Sequence, residues 1–223
     1  MYENNKNNKI KILKNYLILC EGIDTYKFII NYLNSDALKY DRRFSNDIQA
    51  LDFGGIMDLH AYINILKNME NFGNVNRILI LRDAETDAKS AIQMVQGNLR
   101  NAGLQVPSDC NIWVKSDDNL KIAFTLMPAC SSEPTSGALE DLCWYILKDN
   151  LEMKDDVKLF VEQIKMSYDS LGSHEHKSKL HTFLSVNKEF ISLKIGEAAS
   201  AGAFDWDSRY LVSLKGIIEK GFE

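Results

Sequence analysis

The chain has 223 residues, of which 45% are hydrophobic, and its formal net charge is −5. This length suits one substantial domain, and the low content of three prolines argues against a disordered chain. The apolar runs are much shorter than the ~20 residues of a membrane span. The polar N-terminus has no signal-peptide core, so we expect a cytoplasmic protein without a membrane partner. A negative chain needs a local basic patch or metal ions to bind nucleic acid.

Short apolar runs alternate with helical patterns in the first half of the chain, which is typical of a parallel α/β sheet. Strands are predicted at residues 16–20, 47–53 and 77–81, and a helical pattern follows each of them. Asp24 is well placed as the N-cap of the first helix. The sequence therefore predicts three consecutive β-α units.

The rest of the chain is predicted to complete this sheet and then to become helical. Apolar segments at 111–114 and 120–128 flank a polar turn and indicate a hairpin. From about residue 155 onward the patterns are helical. We predict an α/β fold with a mainly parallel sheet flanked by helices over residues 1–150. We expect residues 151–223 to form a helical C-terminal extension packed on the same domain.

Carboxylates follow two of the predicted strands. Glu21 comes directly after the first strand, and Asp83, Glu85 and Asp87 come after the third. Ligand sites of open parallel sheets lie beyond the carboxyl ends of the strands, and neighbouring strands are about 5 Å apart. Converging carboxylates repel one another unless a cation lies between them. Mg²⁺, or Mn²⁺, is the cofactor that this pattern predicts. The alternative is that these acids cap helices.

The segments "LILCEG" and "ILILRDAE" resemble the TOPRIM domain of topoisomerases, primases and OLD-type nucleases. The signature of that domain is a glutamate after the first strand and an acid-x-acid motif after a later one. Glu21 matches the first element, and Asp83 and Glu85 match the second. TOPRIM domains more often have Asp where this chain has Glu85. The resemblance implies a metal site at these residues. Asp87, which follows the same strand, is a further candidate as a second-site ligand.

The second half extends the resemblance. "SGALEDLCWYIL", "HKSKLHTFLS" and "IGEAASAGAFDWD" are similar to a family of uncharacterised prokaryotic TOPRIM-like proteins, a domain of unknown function. Leu139-Glu140 is also similar to a leucine-glutamate pair on a helix of OLD-type nucleases, where the glutamate helps to bind a second metal. The alternative for Glu140 is favourable placement in the first turn of a helix.

These patterns lead to two function hypotheses. The first is Mg²⁺-dependent phosphodiester chemistry on DNA or RNA by a nuclease-like TOPRIM site, with Glu21 and Asp83 central and a homodimer as a further expectation. In it Lys177 or Lys179 stabilises charge on the phosphate, unless both lie on a solvated helix face. The second is a non-catalytic, metal-binding regulatory or protein-interaction module of the same fold. A receiver-like phosphoacceptor site normally has paired acids after its first strand, which this chain lacks.

Overall fold

The computed structural model of the protein describes residues 10–116, 119–129, 136–148, 151–168 and 175–223. Its centre is a five-stranded sheet with the order β2-β1-β3-β5-β4. The strands are β1 (Tyr16–Glu21), β2 (Ile48–Gly54), β3 (Arg77–Asp83), β4 (Val114–Lys115) and β5 (Lys121–Met127). All neighbouring strands are parallel except β4, which is antiparallel to β5. The mainly parallel α/β fold is confirmed, and so is the hairpin.

Helices cover both faces of the sheet. They are α1 (Gly22–Leu33), α2 (Arg43–Asn46), α3 (Leu59–Lys67), α4 (Ala88–Asn101), α5 (Leu139–Tyr145), α6 (Leu151–Tyr168), α7 (Glu175–Val186), α8 (Ile195–Ser200) and α9 (Val212–Lys220). The three predicted β-α units are β1-α1, β2-α3 and β3-α4. In the described part of the chain, no helix combines the length and the apolar character that crossing a bilayer demands.

The two faces of the sheet build two hydrophobic cores. Successive side chains of a strand point to opposite faces, so Ile18 and Cys20 of β1 enter one core and Leu17 and Leu19 enter the other. The first core lies under α1, α5 and the C-terminal helices, and the second lies under α3 and α4. Burial on both sides explains why β1 and β3 are almost continuously apolar.

The C-terminal helices pack on the same face of the sheet as α1. Phe183 of α7 and Leu214 of α9 belong to the core that contains Ile18 of β1. Helix α8 lies against α1 at Gly196, where a Cβ atom would overlap the Lys27 side chain. The small residues of this segment therefore allow close packing of two helices. The division at residue 150 stays a prediction.

Two local predictions differ from the structure. Asp24 is not the N-cap, because α1 begins two residues earlier at Gly22, whose φ of 79° lets the chain turn directly out of β1. Strand β4 has two residues, fewer than the predicted segment 111–114.

Candidate functional site

The acidic residues lie at the carboxyl ends of two neighbouring strands. Strand β1 pairs in parallel with β3, with Cys20 opposite Leu81, so Glu21 and Asp83 end their strands side by side. Asp83 continues the face of Leu81, which packs in the α5 core. Glu21 instead meets Arg82, the residue of β3 that points to the opposite face. The two carboxylates therefore approach the sheet edge from different sides.

Glu21 already has a cationic partner within the chain. Its Oε1 accepts a hydrogen bond from the Ile56 N–H at 3.0 Å, and its Oε2 lies 3.4 Å from Nε of Arg82. Burial raises the pKa of Glu21, while Arg82 and the Ile56 N–H act to lower it. Arg82 is only 5% exposed and also donates to the Ala91 carbonyl at 3.0 Å. The backbone N–H of Asp83 also acts to lower the pKa of Glu21.

Asp83 is the most strongly perturbed acid of the group. Its Oδ1 accepts a hydrogen bond from the Leu139 N–H, at the start of α5, at 3.0 Å. Burial is the main cause that raises the pKa of Asp83 to about 7, and the Glu140 carboxylate is the next. Glu21 and Glu85 act in the same direction. The Glu140 carboxylate is therefore close enough to Asp83 to disfavour the ionised form of Asp83.

Glu140 and the two candidate lysines separate into different ion pairs. Glu140 is 9% exposed, and its Oε1 lies 3.9 Å from Nζ of Lys177. Lys179 instead pairs with Glu175, whose carboxylate also binds Lys165 at 2.7 Å. Hydrogen bonds from these two lysines lower the pKa of Glu175 to about 2. Of the two candidates, Lys177 is the one that contacts the acidic site.

Glu85 and Asp87 have different local roles. Glu85 has a φ of 57°, and its backbone exchanges hydrogen bonds of 2.8 and 2.7 Å with Gly137. This bridge ties the loop after β3 to the segment before α5. Asp87 is the N-cap of α4, because its Oδ1 accepts a hydrogen bond from the Lys89 N–H at 3.0 Å. The cap interpretation therefore describes Asp87 but not Glu85.

A cleft of about 400 Å³ opens beside these residues. It is lined by Glu85, Thr86, Ser136, Gly137, Asp141, Glu175, His176 and Lys179. Within the residue ranges that the structure describes, no group of three or more His, Cys, Asp or Glu side chains is arranged to hold a metal ion.

Sequence reasoning missed Arg82. The signal was present, because a charged residue inside a strand that is buried on both faces needs a partner of opposite charge. Glu21, at the end of the neighbouring strand, is that partner.

The fold and the acids together define an α/β protein with carboxylates at the ends of two parallel strands. The chain belongs to the family described as "Protein of unknown function (DUF3226)", whose family model matches residues 15–223. The resemblance to a family of unknown function is confirmed by this match. No curated protein and no solved structure matches the chain.

Proposed function

We propose that the chain is a TOPRIM-like protein that carries out Mg²⁺-dependent phosphodiester chemistry on nucleic acid, with Asp83 and Glu140 as its metal-binding pair. One observation carries the proposal. Asp83 binds the N–H of Leu139, the residue before the buried Glu140, so two carboxylates lie together at the carboxyl end of a parallel sheet. This is where ligands of such sheets bind, and a divalent cation relieves the repulsion between buried carboxylates.

The donor set fits Mg²⁺. This ion keeps several waters and is commonly bound by one or two carboxylates together with phosphate oxygens of the substrate. Asp83 and Glu140 supply two carboxylates, and a third protein ligand is not required. Glu21 ends the neighbouring strand, where its Oε2 lies 3.4 Å from Nε of Arg82, so Glu21 is not counted as a metal ligand. Mn²⁺ accepts the same oxygen ligands.

Each remaining side chain of the site has a distinct task in this proposal. Mg²⁺, when bound, polarises a phosphoryl oxygen and lowers the pKa of an attacking water. Lys177, half exposed and 3.9 Å from Glu140, offsets negative charge on the phosphate. Glu85 is exposed at the cleft and guides hydrated cations toward Asp83 and Glu140. Lys179 and Asp87 are left out, because an ion pair and a helix cap account for them.

The alternative is a non-catalytic regulatory or protein-interaction module. The ion pair between Glu21 and Arg82 favours this alternative. Because the Arg82 guanidinium balances the charge of Glu21, this carboxylate needs no metal ion. Asp83 can likewise stay neutral by keeping its proton, since its pKa is raised to about 7. In this alternative the acids stabilise the fold or bind a structural cation, and no nucleic acid is cleaved.

A cleavage assay separates the two functions. Labelled single- and double-stranded DNA and RNA are incubated with the protein in Mg²⁺, Mn²⁺ or EDTA. We expect metal-dependent cleavage that falls by on the order of 100-fold in Asp83→Asn and Glu140→Gln. The matched control is Glu162→Gln, which removes an exposed carboxylate that also lies 3.9 Å from a lysine, Lys158, and should cleave normally.

Two results would decide against the proposal. If the wild-type protein binds the metal but cleaves no substrate, the non-catalytic module is the better account. If Asp83→Asn cleaves as fast as the wild-type protein, the activity belongs to another site.

A further inference from the structure

Strand β2 has one edge that no described strand covers. On its other side it pairs in parallel with β1. The Tyr16 N–H of β1 donates to the Asp47 carbonyl at 3.3 Å, and the backbone groups of successive residues in a strand point to alternate sides. The N–H and C=O groups of Ile48, Ala50 and Asp52 therefore point away from β1. Such a row of outward backbone groups is a template for pairing with one more strand.

A groove follows this edge on the face of the sheet that α1 covers. It has a volume of about 350 Å³, and its walls include Tyr26 and Ile30 of α1 and Ala50 and Leu51 of β2. Ile30 is 36% exposed. The opposite flank of α1 packs against α8. Helix α1 therefore presents apolar side chains along the open edge of β2.

The other face of the sheet repeats this arrangement with α3. One flank of α3 is directed toward α4, since Nζ of Lys67 donates to the Ala102 carbonyl at the end of that helix. Tyr62 and Ile65 lie on the opposite flank, and Ile65 is 56% exposed. Burial and then the charge of Asp52 raise the pKa of Tyr62 to about 12, which places Tyr62 near the carboxyl end of β2. Apolar side chains thus flank the open edge on both faces.

This arrangement fits a second copy of the chain better than a lone peptide. An extended peptide pairs with the edge but leaves the flanks of α1 and α3 uncovered. Antiparallel pairing of two β2 strands about a two-fold axis brings α1 beside the α1 of the second copy, and α3 beside its α3. The seven residues of β2 span about 23 Å. With a helix layer of ~10 Å on each face, the contact buries on the order of 600 Å² per copy, which is the lower limit for stable interfaces.

The charges at the two ends of β2 fit the same arrangement. Lys14 lines the groove at the amino end of β2, where its Nζ donates to the Ser45 carbonyl. Asp52 is near the carboxyl end, and Asp58 adds a second acid beside the last residue of the strand. The exposed Asp47 is at the same end as Lys14 but does not line the groove. Antiparallel pairing therefore brings the basic end of each strand beside the acidic end of the other.

We propose that the open edge of β2 joins two copies of this chain into a homodimer, so that the five strands of each copy form one continuous sheet. The two β2 strands pair in antiparallel fashion near Ala50. Lys14 of each copy faces Asp52 of the other. The interface uses neither Asp83 nor Glu140, so it stands or falls independently of the proposed function.

Sedimentation velocity over a range of protein concentrations tests the dimer, with EDTA present so that metal binding plays no part. We expect the wild-type protein to sediment as a dimer. In Ala50→Pro the lost N–H points outward, a position in which edge strands tolerate proline, so the fold should persist while dimerisation weakens by at least about tenfold. Ile30→Glu should have a similar effect, because it brings a charge into the apolar contact.

Leu159 provides a matched control for Ile30. It is an apolar residue of α6 that is 63% exposed, and it lies away from β2. Leu159→Glu should dimerise like the wild-type protein. Circular dichroism melts confirm that each variant is folded. If Ala50→Pro does not fold, Ile30→Glu makes the same test.

Exchange of the two charges tests the antiparallel geometry. Lys14→Glu and Asp52→Lys should each dimerise at least about tenfold more weakly, because each brings like charges together across the interface. An equimolar mixture of the two variants should dimerise again, since every contact in the mixed dimer joins opposite charges.

Three results would overturn the proposal. They are a monomeric wild-type protein, a dimer that Ala50→Pro and Ile30→Glu leave unchanged, and a mixture of the two charge variants that remains monomeric. A peptide-binding role of the groove would give the first result. Absence of metal-dependent cleavage would refute the proposed function and leave this interface standing.

Discussion

Replacing Asp83 by Asn tests the electrostatic cost of the acidic site. Asn keeps an oxygen that can accept the hydrogen bond from Leu139 and removes the charge. The pKa of Asp83 is raised from 3.8 to about 7 by burial first and by Glu140 second. In the metal-free protein this carboxylate therefore destabilises the fold whenever it is ionised.

The sign and size of the effect follow from linkage. The folded chain keeps a proton on Asp83 that the unfolded chain releases above about pH 4, so stability is lost as the pH rises through 7. One pKa unit corresponds to about 1.4 kcal/mol, so the rise from 3.8 to about 7 corresponds to on the order of 4 kcal/mol. About 3 kcal/mol of this loss falls between pH 5 and pH 8.

Urea denaturation in EDTA at pH 5 and pH 8 measures this difference. Between these pH values the unfolding free energy of the wild-type protein should fall by about 3 kcal/mol relative to Asp83→Asn. Adding Mg²⁺ at pH 8 should stabilise the wild-type protein and leave the variant unchanged, because a ligand stabilises only the state that binds it. Parallel changes in both proteins from pH 5 to pH 8 would refute the reasoning.

Three further predictions concern stability in urea. Glu175→Gln should lower the free energy of unfolding by about 0.5–1 kcal/mol at pH 7. Because the pKa of Glu175 is lowered to about 2, this difference from the wild-type protein should shrink as the pH falls from 4.5 toward 2. A difference that stays constant over this range would contradict the prediction. Arg82→Met leaves the Glu21 carboxylate without its cation and should lower the free energy of unfolding by about 3 kcal/mol. Adding Glu21→Gln to this variant should restore part of the lost stability. If the losses of the two single variants simply add in the double variant, the two residues are not coupled. In Gly196→Ala the new methyl group overlaps a side chain of α1, so the free energy of unfolding should fall by about 1–3 kcal/mol. In the control Gly97→Ala, on α4, the methyl group meets nothing within 4 Å, so the protein should become more stable by about 0.5–1 kcal/mol. Equal effects of the two changes would contradict the packing of α8 on α1.

The sheet was predictable because its strands are buried on both faces. Short, continuous apolar runs such as those of β1 and β3 are typical of strands that are buried on both faces. The alternation of strands and helices implies that these strands pair in parallel. The start of α1 was not predictable from capping rules. Gly22 turns the chain with a positive φ, so the helix begins before the residue that the pattern favours.

The contacts of the acidic site were predictable only in part. The sequence places Glu21 and Asp83 at neighbouring strand ends, and the structure has them there. It does not tell which lysine of α7 reaches Glu140, since Lys177 and Lys179 point to different sides of the helix and only the packing of α7 selects one.

Titration calorimetry of Mg²⁺ and Mn²⁺ into metal-free protein tests the central claim most directly. The proteins are the wild type, Asp83→Asn, Glu140→Gln and the control Glu162→Gln. We predict binding heats in the wild type and the control, and their loss in both site variants. Equal heats in all four proteins, or no heat in the wild type, would contradict a cation site at Asp83 and Glu140.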